Sequence, residues 1–471
     1  MSALIPQDYG PLHFIGVGGI GMSGIAELLH HQGYTVQGSD QSESTNLARL
    51  RALGLTVFVG HTAENVTQAR AVVISSAVKL DNPEVVAAQA AGIPLIRRAE
   101  MLAELMRLKK GIAIAGTHGK TTTTTLMGHV LEQVGLDPTL VTGGIVNATG
   151  TNTRLGAGDW MVVESDESDG SFLQLPATLA IVTNIDPEHL EHYGNFDALR
   201  AAFTRFVEQL PFYGAAALCV DHPEVAALKT RITNRRCLGY GLSETAEVQG
   251  LNTRTDSTGC HFDVRFKGKN PRTVMGYHLP LFGSHNILNA LAVLTLANEL
   301  NLPDDKVKAA LACFAGVKRR FTRIGETDGV VVIDDYAHHP VEIEAVLMAA
   351  RSACTGRVHA VMQPHRYTRL ANLLPDFAHC FAKADSVLIA DVYSAGEAPI
   401  DGADRDALVK AIRATGQTNA EPLCSPAELA DLIAARAQPG DFVICMGAGS
   451  ITNWAASLPA QLATVKQKVA V

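Results

Sequence analysis

Short apolar runs alternate with longer amphipathic ones along nearly the whole chain, and this alternation restricts the fold more than any other property. Runs such as Leu12–Ile15 and Gly111–Ala115 lead directly into glycines and then into helix-forming residues. That is the pattern of β-α units whose parallel strands are buried on both faces. With 471 residues the chain is roughly three ordinary domains long. Three blocks emerge, each opening on a strand. The first, 1–107, predicts strands at Thr35–Gln37 and Ala71–Ile74 and ends in Met101-Leu-Ala-Glu-Leu-Met-Arg-Leu-Lys-Lys110, a helix with a basic tail suited to a linker. The second, 108–322, predicts strands at Trp160–Val163 and Leu179–Thr183. It also has an antiparallel excursion over 246–283, where His261-Phe-Asp-Val-Arg-Phe266 alternates by twos, and a long helix from His285. The third, 323–471, predicts strands at Val330–Ile333, Val358–Met362, Ser386–Ala390 and Phe442–Met446, each running into a polar loop. The expected class is three-domain α/β: a Rossmann-like first domain, a central ATPase-like domain with a phosphate loop and mixed sheet, and a Rossmann-like last domain.

Bulk properties exclude several functions. A net charge of −8 and only two tryptophans argue against a general nucleic-acid binder. No run approaches the about 18 apolar residues that span a bilayer, and Met1-Ser-Ala-Leu-Ile-Pro-Gln-Asp-Tyr-Gly10 does not resemble a secretory leader. None of the eight cysteines forms a C-x-x-C pair, which predicts reduced thiols packed as small hydrophobes in a cytoplasmic protein.

Gly16-Val-Gly18-Gly19-Ile20-Gly21 follows a strand and precedes a helix, with Asp40 at the end of the next strand. Glycines admit a pyrophosphate to the backbone, and a helix start supplies N–H donors and a positive dipole end. NAD and any other nucleotide diphosphate remain open on these residues alone, and an NAD-linked oxidoreductase is one alternative; a nucleotide-sensing switch that uses the glycine turn after Ala115 is another.

A second glycine turn is Gly116-Thr117-His118-Gly119-Lys120-Thr121-Thr122. It departs from G-x-x-x-x-G-K-[ST], because Ile114 stands where the first glycine belongs. The strand–turn–helix setting is nevertheless that of a phosphate loop. Lys120 would face the terminal phosphates, and the Thr121 hydroxyl would reach Mg²⁺. Glu164, the first polar residue beyond Trp160–Val163, is the best carboxylate for that metal, and the acids after it read as a solvated turn. His189 and His192 could share a helical face; without cysteines or H-E-x-x-H, a hard cation beside phosphates suits them better than zinc.

Gly116-Thr-His-Gly-Lys-Thr121 resembles the G-T-x-G-K-[ST] loop of the Mur ligases, the peptidoglycan amide-forming family, whose loop is shorter. Glu164–Asp169, Thr183–His189, Gly283–Asn289, Lys318–Phe321 and Asp334–Pro340 resemble its other motifs. The glycine-rich start and Ser75-Ser76-Ala77-Val78 resemble the alanine-adding member. The absence of lysine from Leu190 to Leu228, where most members carry a carbamylated one, fits that member too. The resemblance implies ATP and Mg²⁺ as cofactors. It implies UDP-N-acetylmuramate and L-alanine as substrates, joined through an acyl phosphate by a cytoplasmic monomer or homodimer with no nucleic-acid or membrane partner. It carries over these roles: Lys120, His189, Arg320 and His338 in catalysis; Gly116–Thr122, His285, Asn286, Asn289, Arg320 and Asp335 at ATP. Gly16, Gly18, Gly19, Ile20, Gly21, Ser39, Asp40 and Ser76 would take the UDP-sugar, and Tyr336, His338, Arg366 and Arg369 the amino acid. Thr121 and Glu164 would hold one Mg²⁺, and His189 a second that also touches the substrate carboxylate. Arg366 also makes independent sense, since a guanidinium fork suits a carboxylate.

Overall fold

The computed structural model describes residues 9–75, 77–144, 151–256, 258–268, 270–417 and 419–469, the side chains of Ile20 and of 466–469 excepted. Ser76 lies outside the described residues. The chain folds into three α/β sheets. Contacts divide it into two compact units. One comprises the chain up to Leu251 with Asp263–Tyr277 and Leu288–Ala315; the other comprises Asn252–Phe262, His278–Ile287 and Gly316–Val471.

The first sheet runs Thr56–Val59, Val36–Asp40, Leu12–Ile15, Ala71–Ile74, Leu95–Arg97, all parallel. Its middle strand is wholly buried, which is why that run is uniformly apolar. The edge strands Thr56–Val59 and Leu95–Arg97 are half-exposed and lack such a run, so the sequence pattern does not announce them. The expected helix is present as Arg98–Met106, and it is packed rather than linker-like: it buries Ala99, Met101, Leu102, Ala103, Leu105 and Met106. Glu100 closes a capping box at its start. The basic tail is anchored too: Lys109 Nζ donates to the carbonyls of Gly156 and Gly158 at 2.7 and 2.8 Å.

The second sheet has ten strands. At its heart Lys110–Ala115 lies between Leu179–Val182 and Trp160–Glu164, parallel to both. Trp160 opens its strand with the Lys110 ammonium 5.6 Å from the ring centroid. The 246–283 stretch adds Val248–Asp256, Gly259–Phe266 and Arg272–Leu279 at one edge, the first of them parallel to Arg236–Gly241. The long helix is Ser284–Glu299.

The third sheet runs Thr322–Thr327, Val330–Asp335, Phe442–Met446, Val358–Met362, Ser386–Ile389, Ala420–Pro422; only the first pair is antiparallel. Its strands feed two cores by strict alternation. Ile444 and Met446 join one with Leu347, Phe377 and Phe381; Val443 and Cys445 join the other with Leu429, Ile433 and Leu458. Trp454 packs against the second core from the helix Ile451–Val469.

All eight cysteines are free thiols. Cys219, Cys260, Cys380 and Cys445 are buried as expected, but Cys313 and Cys424 are exposed, so packing does not account for every one. Among the described residues no helix is long and apolar enough to cross a membrane.

Candidate functional site

In parallel sheets, ligands gather where the strands end at their carboxyl side. In all three sheets the predicted residues stand there. Ile15 pairs with Ser39, so Gly16 and Asp40 emerge side by side. Ile114 pairs with Glu164 and Ala115 with Val182, so the Gly116 loop, Glu164 and Thr183 emerge together. Asp335 pairs with Met446, beside Met362.

In the first glycine loop, Gly16 has φ +77, a left-handed conformation. Gly16 and Val17 donate their N–H groups to the Ser39 carbonyl at 2.8 and 2.9 Å. The Gly18 N–H donates to Asp40 Oδ2 at 2.8 Å, so Asp40 first of all braces the loop. Ser39 contributes its carbonyl and not its hydroxyl. That hydroxyl is buried and donates to Glu84 Oε2 at 2.5 Å, in a cluster with His13, His61 and Asn65. Gly19 precedes the helix Ile20–His31 with no side-chain cap, which leaves the first-turn donors to other acceptors.

The second turn is tighter. Gly116 has φ +134, and a Cβ there would overlap the Thr183 hydroxyl; Gly119 has φ +82, and a Cβ there would stand 2.8 Å from Asn289 Oδ1. Ile114 can replace the missing glycine because it is still a residue of the strand, fully buried, two positions before the first glycine of the loop. The loop is laced to the Thr183–Asp186 stretch. The His118 N–H donates to Asn184 Oδ1 at 2.7 Å, the Asp186 N–H to Thr117 Oγ1 at 2.8 Å, and the Thr183 hydroxyl to the His118 carbonyl at 2.7 Å. The His118 imidazole lies 3.4 Å from Asp186, whose other oxygen faces His222 at 3.3 Å.

The helix Lys120–Gln133 starts on the loop, and Thr121 to Thr125 are all buried, Thr122 included. Lys120 Nζ donates to the carbonyls of Gly116 and Thr117 at 2.6 and 3.1 Å and pairs with Glu167 at 2.8 Å. Burial works against its charge, but Glu167, Asp166 and Glu164 outweigh burial and push its pKa up. Glu167 is 1 % exposed, so the acids after Glu164 are not the solvated turn expected from the sequence: one of them is the lysine's counter-ion. The Thr121 hydroxyl donates to Glu164 Oε1 at 3.0 Å, while Oε2 accepts from Thr142 Oγ1 and the Gly143 N–H at 3.0 and 2.6 Å. A fixed carboxylate beside a hydroxyl is an oxygen donor set that fits Mg²⁺, which takes few protein ligands and completes its shell with water and phosphate. Among the described residues no group of three or more His, Cys, Asp or Glu is placed to hold a metal by itself. His189 and His192 do not share a helical face. His189 has φ +57 and caps the short helix Leu190–Tyr193, which contains His192; its ring lies 3.7 to 4.0 Å from Glu188, Glu191 and Glu167.

The second unit carries the remaining predicted residues. His285 opens the long helix, with Nε2 3.1 Å from Asn286 Nδ2; burial, then Arg320, push it down to about 4. Asp335 accepts from the Phe321 and Ala337 N–H groups, each at 2.7 Å, and burial pushes it up to about 6 against the pull of Arg320. The Tyr336 ring lies under two guanidinium groups, Arg319 at 4.7 Å and Arg320 at 5.3 Å. His338 packs edge-on to Tyr336 and faces His365, which stacks on Tyr393 at 5.5 Å. Arg369 Nη1 is 3.5 Å from His365 Nδ1. Arg366 holds φ +72, a conformation that L side chains rarely adopt, and half of its side chain is exposed. So Tyr336, His338, Arg366 and Arg369 converge, joined by His365 and Tyr393, which sequence reasoning missed.

Two other residues were missed. Glu167 was legible only through bookkeeping: a lysine in a buried loop needs a resident anion. Arg98, at the start of its helix, runs over Gly21 and helps hold the Asp166 carboxyl below its usual range. No spacing rule marks it.

Comparison with known proteins bears on the whole chain. Residues 11–110 match the family model described as "Mur ligase family, catalytic domain", 114–297 "Mur ligase middle domain" and 319–449 "Mur ligase, glutamate ligase domain". The chain is 57% identical to a UDP-N-acetylmuramate–L-alanine ligase of Rhodospirillum centenum, over 97% of this chain and 95% of that one. It is 56% identical to the protein of the same name from Agrobacterium fabrum, over 98% and 99%. Among solved structures it resembles UDP-N-acetylmuramate-alanine ligase of Thermotoga maritima, with TM-score 0.80 and 29% identity, covering 98% of this chain and 100% of that one.

Proposed function

Since the chain belongs to the Mur ligase family, we propose that it joins L-alanine to the lactyl carboxylate of UDP-N-acetylmuramate at the expense of ATP, in peptidoglycan precursor synthesis. The observation that carries this reading is one constellation at the carboxyl edge of one sheet: a buried, charged Lys120 on the turn, and a Thr121 hydroxyl 3.0 Å from the Glu164 carboxylate.

A carboxylate is a poor acyl donor. Transfer of the γ-phosphoryl group makes it an acyl phosphate, which the amine attacks; the tetrahedral intermediate collapses to amide and phosphate. The protein's part is positioning and charge neutralisation. Lys120 and the loop N–H groups hold the terminal phosphates. Thr121 and Glu164 would hold one Mg²⁺ and His189 a second, and the metal would supply positive charge to the phosphoryl oxygens. The Gly16–Gly21 loop and the helix start at Ile20 take the UDP pyrophosphate, with Asp40 fixing the loop. His285, Asn286 and Asn289 contact the adenine, and Arg320 and Asp335 the rest of the nucleotide. Arg366 and Arg369 take the alanine carboxylate. The His338 Nδ1–H bond to the Tyr336 carbonyl, 3.0 Å, puts the ring's lone pair on Nε2, a base for the incoming ammonium. Blocks 1–107 and 323–471 would thus take the UDP-sugar and the amino acid, and ATP would fall mainly to block 108–322. Use of ATP and the presence of thiols without disulfide partners support a cytoplasmic location.

The test is phosphate release from ATP with UDP-N-acetylmuramate and Mg²⁺, run separately with L-alanine, D-glutamate and the peptidoglycan tripeptide. Release that depends on L-alanine supports the assignment; release with either rival amine alone overturns it.

A further inference from the structure

Lys120 has three protons to donate, and all are taken within the first unit: by the Gly116 carbonyl at 2.6 Å, the Thr117 carbonyl at 3.1 Å and Glu167 at 2.8 Å. A phosphate oxygen must therefore displace one acceptor. The two carbonyls are neutral; the carboxylate bond is charge-assisted and the stronger. Glu167 is also the more firmly placed partner. It is 1 % exposed, its carbonyl accepts from the Tyr193 hydroxyl and the Gly170 N–H, and its carboxylate lies 4.0 Å from the His189 ring. A buried carboxylate costs several kcal/mol unless paired, and Lys120 is its close cationic partner.

We propose that Glu167 is a positioning residue, the pivot on which the Lys120 ammonium turns from the loop carbonyls to the phosphates. It fixes where that charge stands during phosphoryl transfer, and it rests on the ATP-dependent reading above. Glu167 touches no reacting atom; it acts through the lysine. It opposes phosphate in the ground state, because its negative charge competes for the same ammonium. It favours the transfer step, because it limits the positions the ammonium can take. A residue with a purely structural role would not split binding from turnover in that way.

The experiment uses the full chain and two readouts: kcat for phosphate release, and the Kd of a non-hydrolysable ATP analogue with Mg²⁺ by calorimetry. Glu167→Gln should lower kcat by about tenfold or more, since an ångström of misplacement costs about that much. The analogue should bind it as tightly as the parent, or more so. Glu167→Asp, which keeps the charge but draws it back by one methylene, should lose less kcat, and it serves as the folded control if the glutamine variant melts early. In a cycle with Lys120→Met, the double variant should be no slower than Lys120→Met alone. A kcat within about twofold of the parent in Glu167→Gln, weaker analogue binding in step with kcat, or losses that simply add with Lys120→Met would each overturn the proposal. If the parent releases no phosphate with L-alanine, the functional reading fails instead, and the calorimetric cycle still decides whether Lys120 and Glu167 are coupled at the nucleotide.

Discussion

The chain carries two strand–glycine–helix turns in its first unit, and they are built differently. The Gly16–Gly21 turn offers backbone. Its one brace from a charged side chain, Asp40 on the Gly18 N–H, shapes the loop, and its first glycine has room: beside Gly16 the nearest atom to an added Cβ would be Val78 at 3.9 Å, whereas a Cβ on Gly18 would overlap Leu47. The Gly116–Gly119 turn is crowded. Both its glycines have positive φ, Thr183 and Asn289 fill the space where Cβ atoms would go, and its helix opens with Lys120, Thr121 and their partners Glu167 and Glu164. The contrast matches the two tasks proposed for them. Holding a diphosphate needs only donors and a dipole end. Moving a phosphoryl group needs a charge that can follow it, and a charge in a buried place needs counter-ions.

Four measurements would break or sharpen that contrast. The largest effect belongs to Lys120→Met: phosphate release should fall by about 10³-fold, with the fold intact by circular dichroism. No substitution in the Gly16 turn should match it at saturating UDP-sugar. Next, Glu164→Gln should cost about 10²-fold and raise the Mg²⁺ concentration needed for half-maximal release, as loss of a ligand or its orienting partner does. Third, Gly116→Ala meets both strain and overlap, so its thermal midpoint should fall by about 5 °C or more, whereas Gly16→Ala meets strain alone and should lose about half of that. Equal drops would mean that crowding does not distinguish the turns. The smallest effect is Asp40→Asn: steady-state kinetics should show KM for the UDP-sugar rising about tenfold while KM for ATP stays unchanged, the loss of one hydrogen bond to a charged group.

Most of the architecture was legible because buried parallel strands have an unmistakable composition. Leu12–Ile15, Val358–Met362 and Phe442–Met446 announce themselves, and so do the turns after them. Half-exposed edge strands such as Leu95–Arg97 lack that composition, and the helix Arg98–Met106 looked like a linker because its basic tail hid an apolar face. At the site, residues placed by the strand–turn–helix pattern itself were legible: the glycines, Lys120, Thr121, and Glu164 as the first polar residue off its strand. Residues that act through space were not. Glu167 meets Lys120 across 47 positions, and His365 stacks on Tyr393 across 28, which no local spacing can reveal. Ser39 shows the converse: it sits next to Asp40 in sequence, but strand alternation turns its hydroxyl the other way, into the Glu84 cluster.

The two indoles, Trp160 and Trp454, fall one in each compact unit, the first beside the Lys110 ammonium and the second against an apolar core. Replacing either by phenylalanine leaves a chain whose indole emission, excited at the red edge where tyrosine does not absorb, comes from a single, assigned place. Melting curves from the two single-indole proteins would then report each unit separately, and a shared midpoint would mean that heat takes the molecule apart in one cooperative step.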